Sequence, residues 1–392
     1  MTPDTQLPIR LGVAGLGRGF MLTLPSLMAD ERIALVAAAA PRAGSRQAFI
    51  DAFGGRAYDT VEALCADPEV EAVYVATPHE MHADHVAMAV AAGKHVLVEK
   101  PIATDLAAAQ AMVAAAEAAG VHLIVGPSHS FDAPVDLARA LLADGGHGEV
   151  RMLQAFNYTD FLVRPRRPEE LDTARGGGVV FSQAVHQVDV ARSLLPSAAR
   201  SVEAVTGAWD PGRPTEGAYA AILRCQDGSF ATLAYSGYGF FDSDEWMGWT
   251  SELGSPKDPG AFHKARQQMA EYASPQAEQA AKRSRTFGGA ANRNLPPAHE
   301  HFGPVIVSCT AGALRLTPTG VWSYTAEGAR FVECPMRLAP RTGVVDALHG
   351  AMRRGVPPRQ NGRWGLASLE ICLAMLDSAR RGGAVQLRHQ TL

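Results

Sequence analysis

The 392-residue chain lacks several features that would mark a membrane, secreted or nucleic-acid-binding protein. No apolar run approaches the length of a membrane span, and the start, MTPDTQLPIRLGVAG, lacks a basic then apolar leader. The net charge of −4 implies no polyanionic partner. The five cysteines are odd in number, scattered and without a CxxC pair, which disfavours a disulfide framework. These absences predict a cytoplasmic protein that binds neither membrane nor nucleic acid.

Lysine is also scarce, because only 5 of the 36 basic residues are lysine. A lysine at the end of a strand is therefore informative, since lysine can release its proton and arginine cannot. Lys100 occupies such a position in HVLVEKPIATD (95–105), after an apolar strand, with Glu99 before it and Pro101 after it. The charged pair is either a solvated loop entrance or the floor of a site.

The pattern of predicted secondary structure differs between the first third of the chain and the rest, and the length of the chain suggests two domains. In residues 1–127, apolar strands alternate with helices, which predicts an α/β Rossmann domain with a doubly wound parallel sheet. Its ligands would bind beyond the carboxyl ends of the strands. In residues 128–392, longer and more aromatic strands predict an α+β domain for substrate binding and oligomerisation. That domain would have a large, mostly antiparallel sheet and a polar excursion at about 246–303. The predicted strands are 9–15, 33–40, 70–77, 95–99 and 121–126, then 149–161, 201–209, 217–226 and 229–239.

The segment GVAGLGRGF places Gly15 and Gly17 between the first strand and a helix. Glycines there let the backbone approach a pyrophosphate, and the helix N-terminus supplies amide donors. Arg18 and Gly19 follow, but Phe20 stands where the third glycine of the fingerprint is usual. We expect these residues to bind a dinucleotide; a tight turn is the alternative.

The second strand ends without the acidic residue that would hold the adenosine ribose. The chain reads Ala38 to Ala40, Pro41 and Arg42, with Ser45 and Arg46 nearby. Arg42 stands where a 2′-phosphate would bind, so the sequence favours NADP(H). NAD(H) binding without the carboxylate is the alternative.

Three histidines, His79, His82 and His85, are spaced by three. On one helix their ligand directions do not converge as those of an i, i+4 pair do. We therefore expect no metal site.

Two longer motifs resemble the Gfo/Idh/MocA oxidoreductase family. They are ATPHEMHADHVAMAVAAGKHVLVEKPIA (76–103) and GGGVVFSQAVHQVDVARSLL (176–195). The resemblance implies a Rossmann domain followed by an open-faced domain, with the active site in the cleft between them. It also implies that the Glu-Lys-Pro segment ends the fifth strand at the nicotinamide. Lys100 would then reach the substrate hydroxyl and Glu99 the cofactor side. The Lys100–Pro101 peptide can be cis at such a site.

The same resemblance assigns further residues. It implies that His186 is the catalytic acid/base, a role that suits histidine at neutral pH. Ser182 stands where the family usually has an aspartate, which puts a typical polyol substrate in doubt. Ser182 and Gln183 would bind substrate by hydrogen bonds. The remaining residues expected at the cofactor are Thr77, Pro78, His79, His82 and Ala40, together with Lys100.

An arginine cluster, LVRPRRPEELDTARGGG (162–178), leads into the second motif. Arginine binds carboxylates bidentately, so Arg164 and Arg175 could hold an anionic substrate. A solvated basic loop is the alternative. Within the family, this run resembles the subgroup of phthalate dihydrodiol dehydrogenases.

The sequence thus predicts an NAD(P)-dependent dehydrogenase acting on CH-OH or CH-CH groups, with NADP or NAD as cofactor. The expected substrate is a cyclic, carboxylate-bearing molecule such as an aromatic cis-dihydrodiol, which indicates aromatic catabolism. The expected assembly is a homodimer or homotetramer. Three alternatives stay open: a sugar or inositol-like polyol dehydrogenase, a non-catalytic dinucleotide-binding regulator and an NAD-dependent glycosidase.

Overall fold

The computed structural model of the chain describes residues 7–261, 263–288 and 295–391, which form two compact units. The first unit comprises Met1–Pro127, Ala280–Leu295 and Arg341–Leu369. The second comprises Ser128–Gln279, Pro296–Pro340 and Glu370–Leu392. Two late segments, 280–295 and 341–369, thus pack with the first unit, whereas the predicted division had placed them in the second domain.

The first unit contains a six-stranded parallel sheet, as predicted. Its strand order is β3-β2-β1-β4-β5-β6, in which the chain reverses direction across the sheet between β1 and β4. The strands are β1 Ile9–Ala14, β2 Ile33–Ala39, β3 Arg56–Tyr58, β4 Ala72–Val75, β5 His95–Val98 and β6 Leu123–Val125. The helices between them are α1 Arg18–Ala29, α2 Ala43–Phe53, α3 Val61–Cys65, α4 His82–Ala91 and α5 Leu106–Ala119. Strands β4 and β5 are almost wholly buried, as expected for a sheet covered on both faces.

The second unit is built on a nine-stranded sheet of order β14-β13-β12-β11-β7-β10-β9-β8-β15. Among the described pairings only β7 with β10 is parallel, which confirms the mostly antiparallel sheet. The strands are β7 Val150–Tyr158, β8 Ala199–Gly207, β9 Ala218–Cys225, β10 Phe230–Ser236, β11 Val305–Cys309, β12 Gly312–Thr317, β13 Gly320–Thr325, β14 Gly328–Glu333 and β15 Val385–Gln386.

Helices cover one face of this sheet. The helices of the second unit are α6 Ala133–Ala143, α7 Val185–Leu194 and α8 Lys264–Glu271, and α9 Pro275–Arg283 contributes residues to both units. Helix α6 packs on β12 and β13, and α7 packs on β7 and β10. Burial alternates along β9 and β10, because successive side chains of a strand point to opposite faces. The core therefore lies between this face and the two helices, as an open-faced sheet requires.

Two later helices complete the description: α10 Thr342–Arg354 and α11 Gly362–Arg381. Helix α10 belongs to the first unit, and α11 contributes residues to both. Part of the predicted excursion also packs on the first unit, since the Phe287 ring lies 5.5 Å from Phe20 and 5.8 Å from Phe53. Among the described residues, no helix is both long and apolar enough to cross a membrane.

Candidate active site

The glycine turn after β1 has the geometry of a phosphate cradle. Gly15 has φ +95°, and a Cβ added there would lie 2.8 Å from the carbonyl oxygen of Ala76. Gly17 caps α1 without a side-chain hydrogen bond, and the first turn of α1 contains no acidic residue. The amides of the first turn and the helix dipole therefore favour an anion at this end. The turn fits the pyrophosphate of a dinucleotide, with the exposed Arg18 beside it.

Glu99 lies directly under the first turn of α1, which explains why position 19 is glycine. A Cβ on Gly19 would come within 3.0 Å of the Glu99 Oε1 atom. The Tyr74 hydroxyl donates to the same Oε1 atom at 2.6 Å and lies 3.0 Å from the Thr23 hydroxyl. Burial, with Glu99 close by, raises the pKa of Tyr74. The third glycine of the dinucleotide-binding fingerprint would usually be at position 20; in this chain, a glycine stands at position 19 instead.

Phe20 lies wholly inside the first unit and packs against Phe287. The structure therefore gives Phe20 a packing role behind the glycine turn rather than a surface that a ligand could touch. The third glycine of the usual fingerprint allows close packing of helix on strand. Here an aromatic ring buried between α1 and the 280–288 segment fills that region.

At the end of β2, the two arginines have different surroundings. Arg46 donates from NH1 to the carbonyl oxygens of Ala40 and Pro41, at 2.8 and 2.9 Å. Arg42 is exposed, precedes α2 and donates to the Thr286 hydroxyl at 2.8 Å. Of the two, Arg42 is the one that presents its guanidinium to solvent.

A buried histidine, His82, holds the backbone of the Glu-Lys-Pro segment by a hydrogen bond. The Lys100–Pro101 peptide is cis. The His82 Nδ1 atom lies 2.9 Å from the Pro101 carbonyl oxygen, and its Nε2 atom lies 3.0 Å from that of Thr77. The ring is fully buried, and burial lowers the pKa of His82. His82 thus ties the end of β4 to the segment that carries Lys100.

The neighbouring histidines have separate surroundings. The His85 Nδ1 atom lies 2.9 Å from the Thr77 hydroxyl. The half-buried His79 packs edge-on against His82, with ring centroids 5.7 Å apart. Thr77 and Pro78, like His79, are partly exposed at the end of β4.

In the second unit, the glycine turn of the second motif is built around Glu216. Its Oε1 atom accepts the Val180 N–H at 3.1 Å, and its Oε2 atom accepts from the Thr215 hydroxyl at 3.1 Å and from Thr173. Gly178 has φ +81°, and a Cβ there would collide with this carboxylate. The buried Glu216 therefore caps the start of the segment that carries Ser182 and His186. Sequence reasoning missed it, although it lies in a short TEG turn just before β9.

That segment begins as a π-helical turn, Val180–Ala184, and continues as α7. Such turns are rare and often mark functional sites. Ser182 is buried, while Gln183 and His186 are partly exposed. The Tyr235 hydroxyl donates to the Gln183 side-chain oxygen at 3.4 Å. The Ser128 hydroxyl lies 3.4 Å from the His186 Nδ1 atom, which orients the imidazole.

Aromatic rings surround His186. Phe302 lies 4.9 Å from the His186 ring and 5.1 Å from the His129 ring, and Tyr235 stacks on its far side at 6.1 Å. His129 contacts His186 edge-on, with centroids 4.7 Å apart. These rings form an apolar wall beside the His186 imidazole.

His129 belongs to a polar group that sequence reasoning missed. Its Nδ1 atom lies 2.6 Å from the Asp132 carboxylate, and Glu300 lies close to both. Burial alone would lower the pKa of His129, but Asp132 and then Glu300 raise it above the ordinary value. The sequence SHSFDAP contains His129 and Asp132 three residues apart. Glu300 is distant in sequence, so no local pattern could have predicted that the three residues lie together.

The arginine cluster is mostly engaged within the second unit. Arg164 contacts Asp160 at 2.5 Å and lies 4.0 Å from Glu252. Arg166 donates to the Phe161 carbonyl oxygen and stacks over the Phe161 ring. Arg175 is exposed at the end of a short helical turn before the glycines. Of Arg164 and Arg175, only Arg175 is classed as exposed.

Comparison with known proteins identifies the family of the chain. The NAD-binding Rossmann-fold model of the GFO/IDH/MocA oxidoreductases matches residues 9–127, and the model of their C-terminal domain matches residues 135–246. The chain is 42% identical over 378 residues to 1-carboxy-3-chloro-3,4-dihydroxycyclohexa-1,5-diene dehydrogenase of Comamonas testosteroni, covering 95% of each chain. It is 29% identical to inositol 2-dehydrogenase of Rhizobium meliloti (strain 1021), over 61% of this chain and 72% of the relative.

A crystal structure of a protein from Bordetella bronchiseptica RB50, described as a dehydrogenase, superimposes with a TM-score of 0.91. It is 39% identical, and the match covers 97% of this chain and 100% of the other. Together with the NAD-binding fold and the relatives that act as dehydrogenases, this confirms the predicted resemblance. The chain belongs to the Gfo/Idh/MocA family of NAD-binding oxidoreductases.

Proposed function

We propose that the chain oxidises a secondary alcohol of a cyclic, carboxylate-bearing diol, with Lys100 and His186 as its catalytic residues. The observation that carries this proposal is His186, oriented by Ser128 and flanked by the Phe302 ring. The name of the Comamonas relative describes a ring with one carboxyl group and two adjacent hydroxyls. Such a ring suits the apolar wall beside His186.

The proposed chemistry divides between the two residues. The bound nicotinamide supplies the hydride acceptor. His186 takes the hydroxyl proton of the substrate, since imidazole accepts protons near neutral pH. Lys100 donates a hydrogen bond to the same oxygen and stabilises the negative charge that develops there. His82 has a positioning role, because it holds the backbone on both sides of Lys100 through Thr77 and Pro101.

The cofactor residues follow from the geometry of the first unit. Gly15, Gly17 and the N-terminus of α1 would hold the pyrophosphate, and Glu99 would face the cofactor side. Arg42 would bind a 2′-phosphate, which favours NADP(H) over NAD(H). The enzyme would act in the cytoplasm as a homo-oligomer, a location consistent with the five free thiols of the chain.

Substitution of Lys100 tests the catalytic assignment. Lys100→Met should lower kcat about 10²–10⁴-fold, the usual effect of removing an acid/base or polarising group. Cofactor affinity, measured by fluorescence titration, should change little. The matched control is Lys264→Met, which removes an exposed lysine of α8 that pairs only loosely with Asp258. Wild-type turnover in Lys100→Met would exclude the role proposed for this lysine.

The substrate class is tested with a carboxylated cis-dihydrodiol and its uncharged analogue. Arg175→Met should raise KM for the carboxylated substrate about tenfold and leave kcat nearly unchanged, because uniform binding is lost. Arg164→Met should instead destabilise the second unit, since Asp160 and Glu252 would lose their guanidinium partner. Equal kcat/KM on the two substrates would reject the anionic-substrate assignment.

A polyol dehydrogenase is the second candidate, and one observation favours it. Asp132 and Glu300 place two carboxylates beside His129, whose ring contacts His186. Carboxylates accept hydrogen bonds from sugar hydroxyls. Turnover of inositol in preference to every dihydrodiol would support this alternative.

A further inference from the structure

Residues 280–288 pack with the first unit, although they lie far along the chain from its sheet. Phe287 anchors this segment. Its buried ring lies 5.5 Å from the Phe20 ring, and its N–H donates to the carbonyl oxygen of Leu16 at 3.2 Å. Leu16 is the middle residue of the glycine turn after β1, so the segment is bonded directly to the turn that fits the pyrophosphate.

Thr286, the residue before this anchor, connects the segment to the end of β2. Its Oγ1 atom donates to the carbonyl oxygen of Arg283 at 2.8 Å and accepts from the Nη2 atom of Arg42 at 2.8 Å. A guanidinium group only donates hydrogen bonds, so of these two contacts the hydroxyl proton can serve only the one to Arg283. The lone pairs of Thr286 therefore face Arg42, and the threonine holds one edge of the guanidinium.

A second arginine holds the backbone that precedes Arg42. The Nη1 atom of Arg46 donates to the carbonyl oxygens of Ala40 and Pro41, at 2.8 and 2.9 Å. Arg46 thus holds the main chain and Thr286 holds the side chain. The contact with Thr286 uses one of the five N–H groups of the Arg42 side chain.

The two stretches of chain that this contact joins are strongly basic. Residues 38–46 and 280–288 contain no aspartate or glutamate, and their basic residues are Arg42, Arg46, Lys282, Arg283 and Arg285. Such a surface favours an anionic phosphate over a neutral hydroxyl. Because arginine binds phosphate best through two parallel N–H groups, the direction of the Arg42 guanidinium decides how well it can do so.

We propose that Thr286 is a positioning residue for the cofactor, which holds the Arg42 guanidinium ready for the 2′-phosphate of NADP(H). This inference rests on the role that the proposed function gives to Arg42. A long, exposed side chain loses rotational freedom when it binds a ligand, which lowers affinity about three- to tenfold. Thr286 removes much of that loss before the cofactor binds. The excursion at 246–303 thereby contributes to the choice of cofactor.

The test measures the dissociation constants of NADPH and NADH on the full chain by fluorescence titration. Thr286→Val removes the hydroxyl and keeps the shape of the side chain. It should weaken NADPH binding about three- to tenfold and change NADH binding less than about twofold. Thr286→Ser restores the hydroxyl and should bind both cofactors like the wild type. Ser284→Ala is the matched control, because this hydroxyl lies in the same turn and donates to the Ala281 carbonyl oxygen instead.

A double-mutant cycle separates positioning from a general effect on folding. If Thr286 acts through Arg42, then Thr286→Val should have no further effect on NADPH binding in the Arg42→Ala background. The urea midpoint of Thr286→Val should stay at the wild-type value, because a single exposed hydrogen bond contributes little to stability.

Three results overturn the inference while the proposed function stands. The first is unchanged NADPH binding in Thr286→Val although Arg42→Ala weakens it. The second is equal weakening of NADPH and NADH binding by Thr286→Val, and the third is the same loss of NADPH affinity with and without Arg42. If Arg42→Ala binds NADPH like the wild type, the proposed 2′-phosphate role of Arg42 itself fails, and the role of Thr286 fails with it.

Discussion

Removal of the Glu216 carboxylate should destabilise the second unit and disturb the helix that carries His186. In Glu216→Ala, the buried Val180 N–H loses its acceptor, and so do the hydroxyls of Thr173 and Thr215. An unsatisfied buried donor costs about 1–3 kcal/mol, whereas hydroxyls can rotate toward other acceptors. Loss of the side-chain packing adds about 1 kcal/mol. The expected decrease in the free energy of unfolding is therefore about 3 kcal/mol.

The assay is urea denaturation followed by tryptophan fluorescence, paired with steady-state kinetics. Glu216→Gln keeps an oxygen acceptor for Val180 and should cost less, about 1 kcal/mol. The matched control is Glu203→Ala, which removes a half-exposed carboxylate of β8 that faces Arg224 at 3.4 Å. Such a surface pair is worth at most about 1 kcal/mol.

The kinetic result separates stability from positioning. Because Glu216 lies in the second unit, Glu216→Ala should lower kcat while the dissociation constant of the cofactor stays within about twofold. An unfolding free energy within about 1 kcal/mol of the wild type, with unchanged kcat, would refute the capping role.

Two further predictions concern the first unit. Burial lowers the pKa of His95 to about 4, and His122, Glu71 and Arg353 are its charged neighbours. Between pH 6.5 and 4, the unfolded chain therefore binds a proton at His95 that the folded chain does not. The contribution of His95 to the free energy of unfolding should therefore be fully present above pH 6.5. Below that pH it should fall by about 1 kcal/mol per pH unit, less than the ideal value of about 1.4 kcal/mol because the ring is partly solvated. His95→Gln should flatten this slope, and a variant whose urea midpoint depends on pH as the wild type's does would reject the linkage. Arg42→Ala should weaken NADP(H) binding and spare NAD(H), and a tenfold preference of the wild type for NAD(H), about 1.4 kcal/mol, would contradict the assignment of this arginine.

The sheet of the first unit was predictable because its signals are local. Continuous apolar strands such as 95–98 and the glycine turn after β1 depend on residues adjacent in sequence. Strand β3, Arg56–Tyr58, escaped prediction because three partly exposed residues show no periodicity. Contacts with a residue outside the strand stabilise β3, because Arg56 donates two hydrogen bonds to Asp67, from Nε and Nη2.

The segments that the prediction assigned to the second domain show a different limit. Phe287 follows a polar helix in a stretch with no strand signal, and only the structure reveals that it packs against Phe20 and Phe53. A single aromatic residue in a polar region carries no information about which distant core receives it. The role of Glu216 could not be predicted for the same reason. Its partners Thr173 and Val180 are separated from it in sequence by a helix and a strand.

The expectation of an anionic substrate rested partly on a serine, Ser182, in place of an acid. That argument considered a single helix and only the one carboxylate that is missing from it. The structure supplies two carboxylates from other elements, Asp132 and Glu300, beside His129, whose ring contacts His186. Carboxylates repel an anion and accept hydrogen bonds from hydroxyls, so these two residues favour a neutral polyol. The kcat/KM for a carboxylated dihydrodiol, compared with that for inositol, therefore discriminates between the dihydrodiol and polyol assignments.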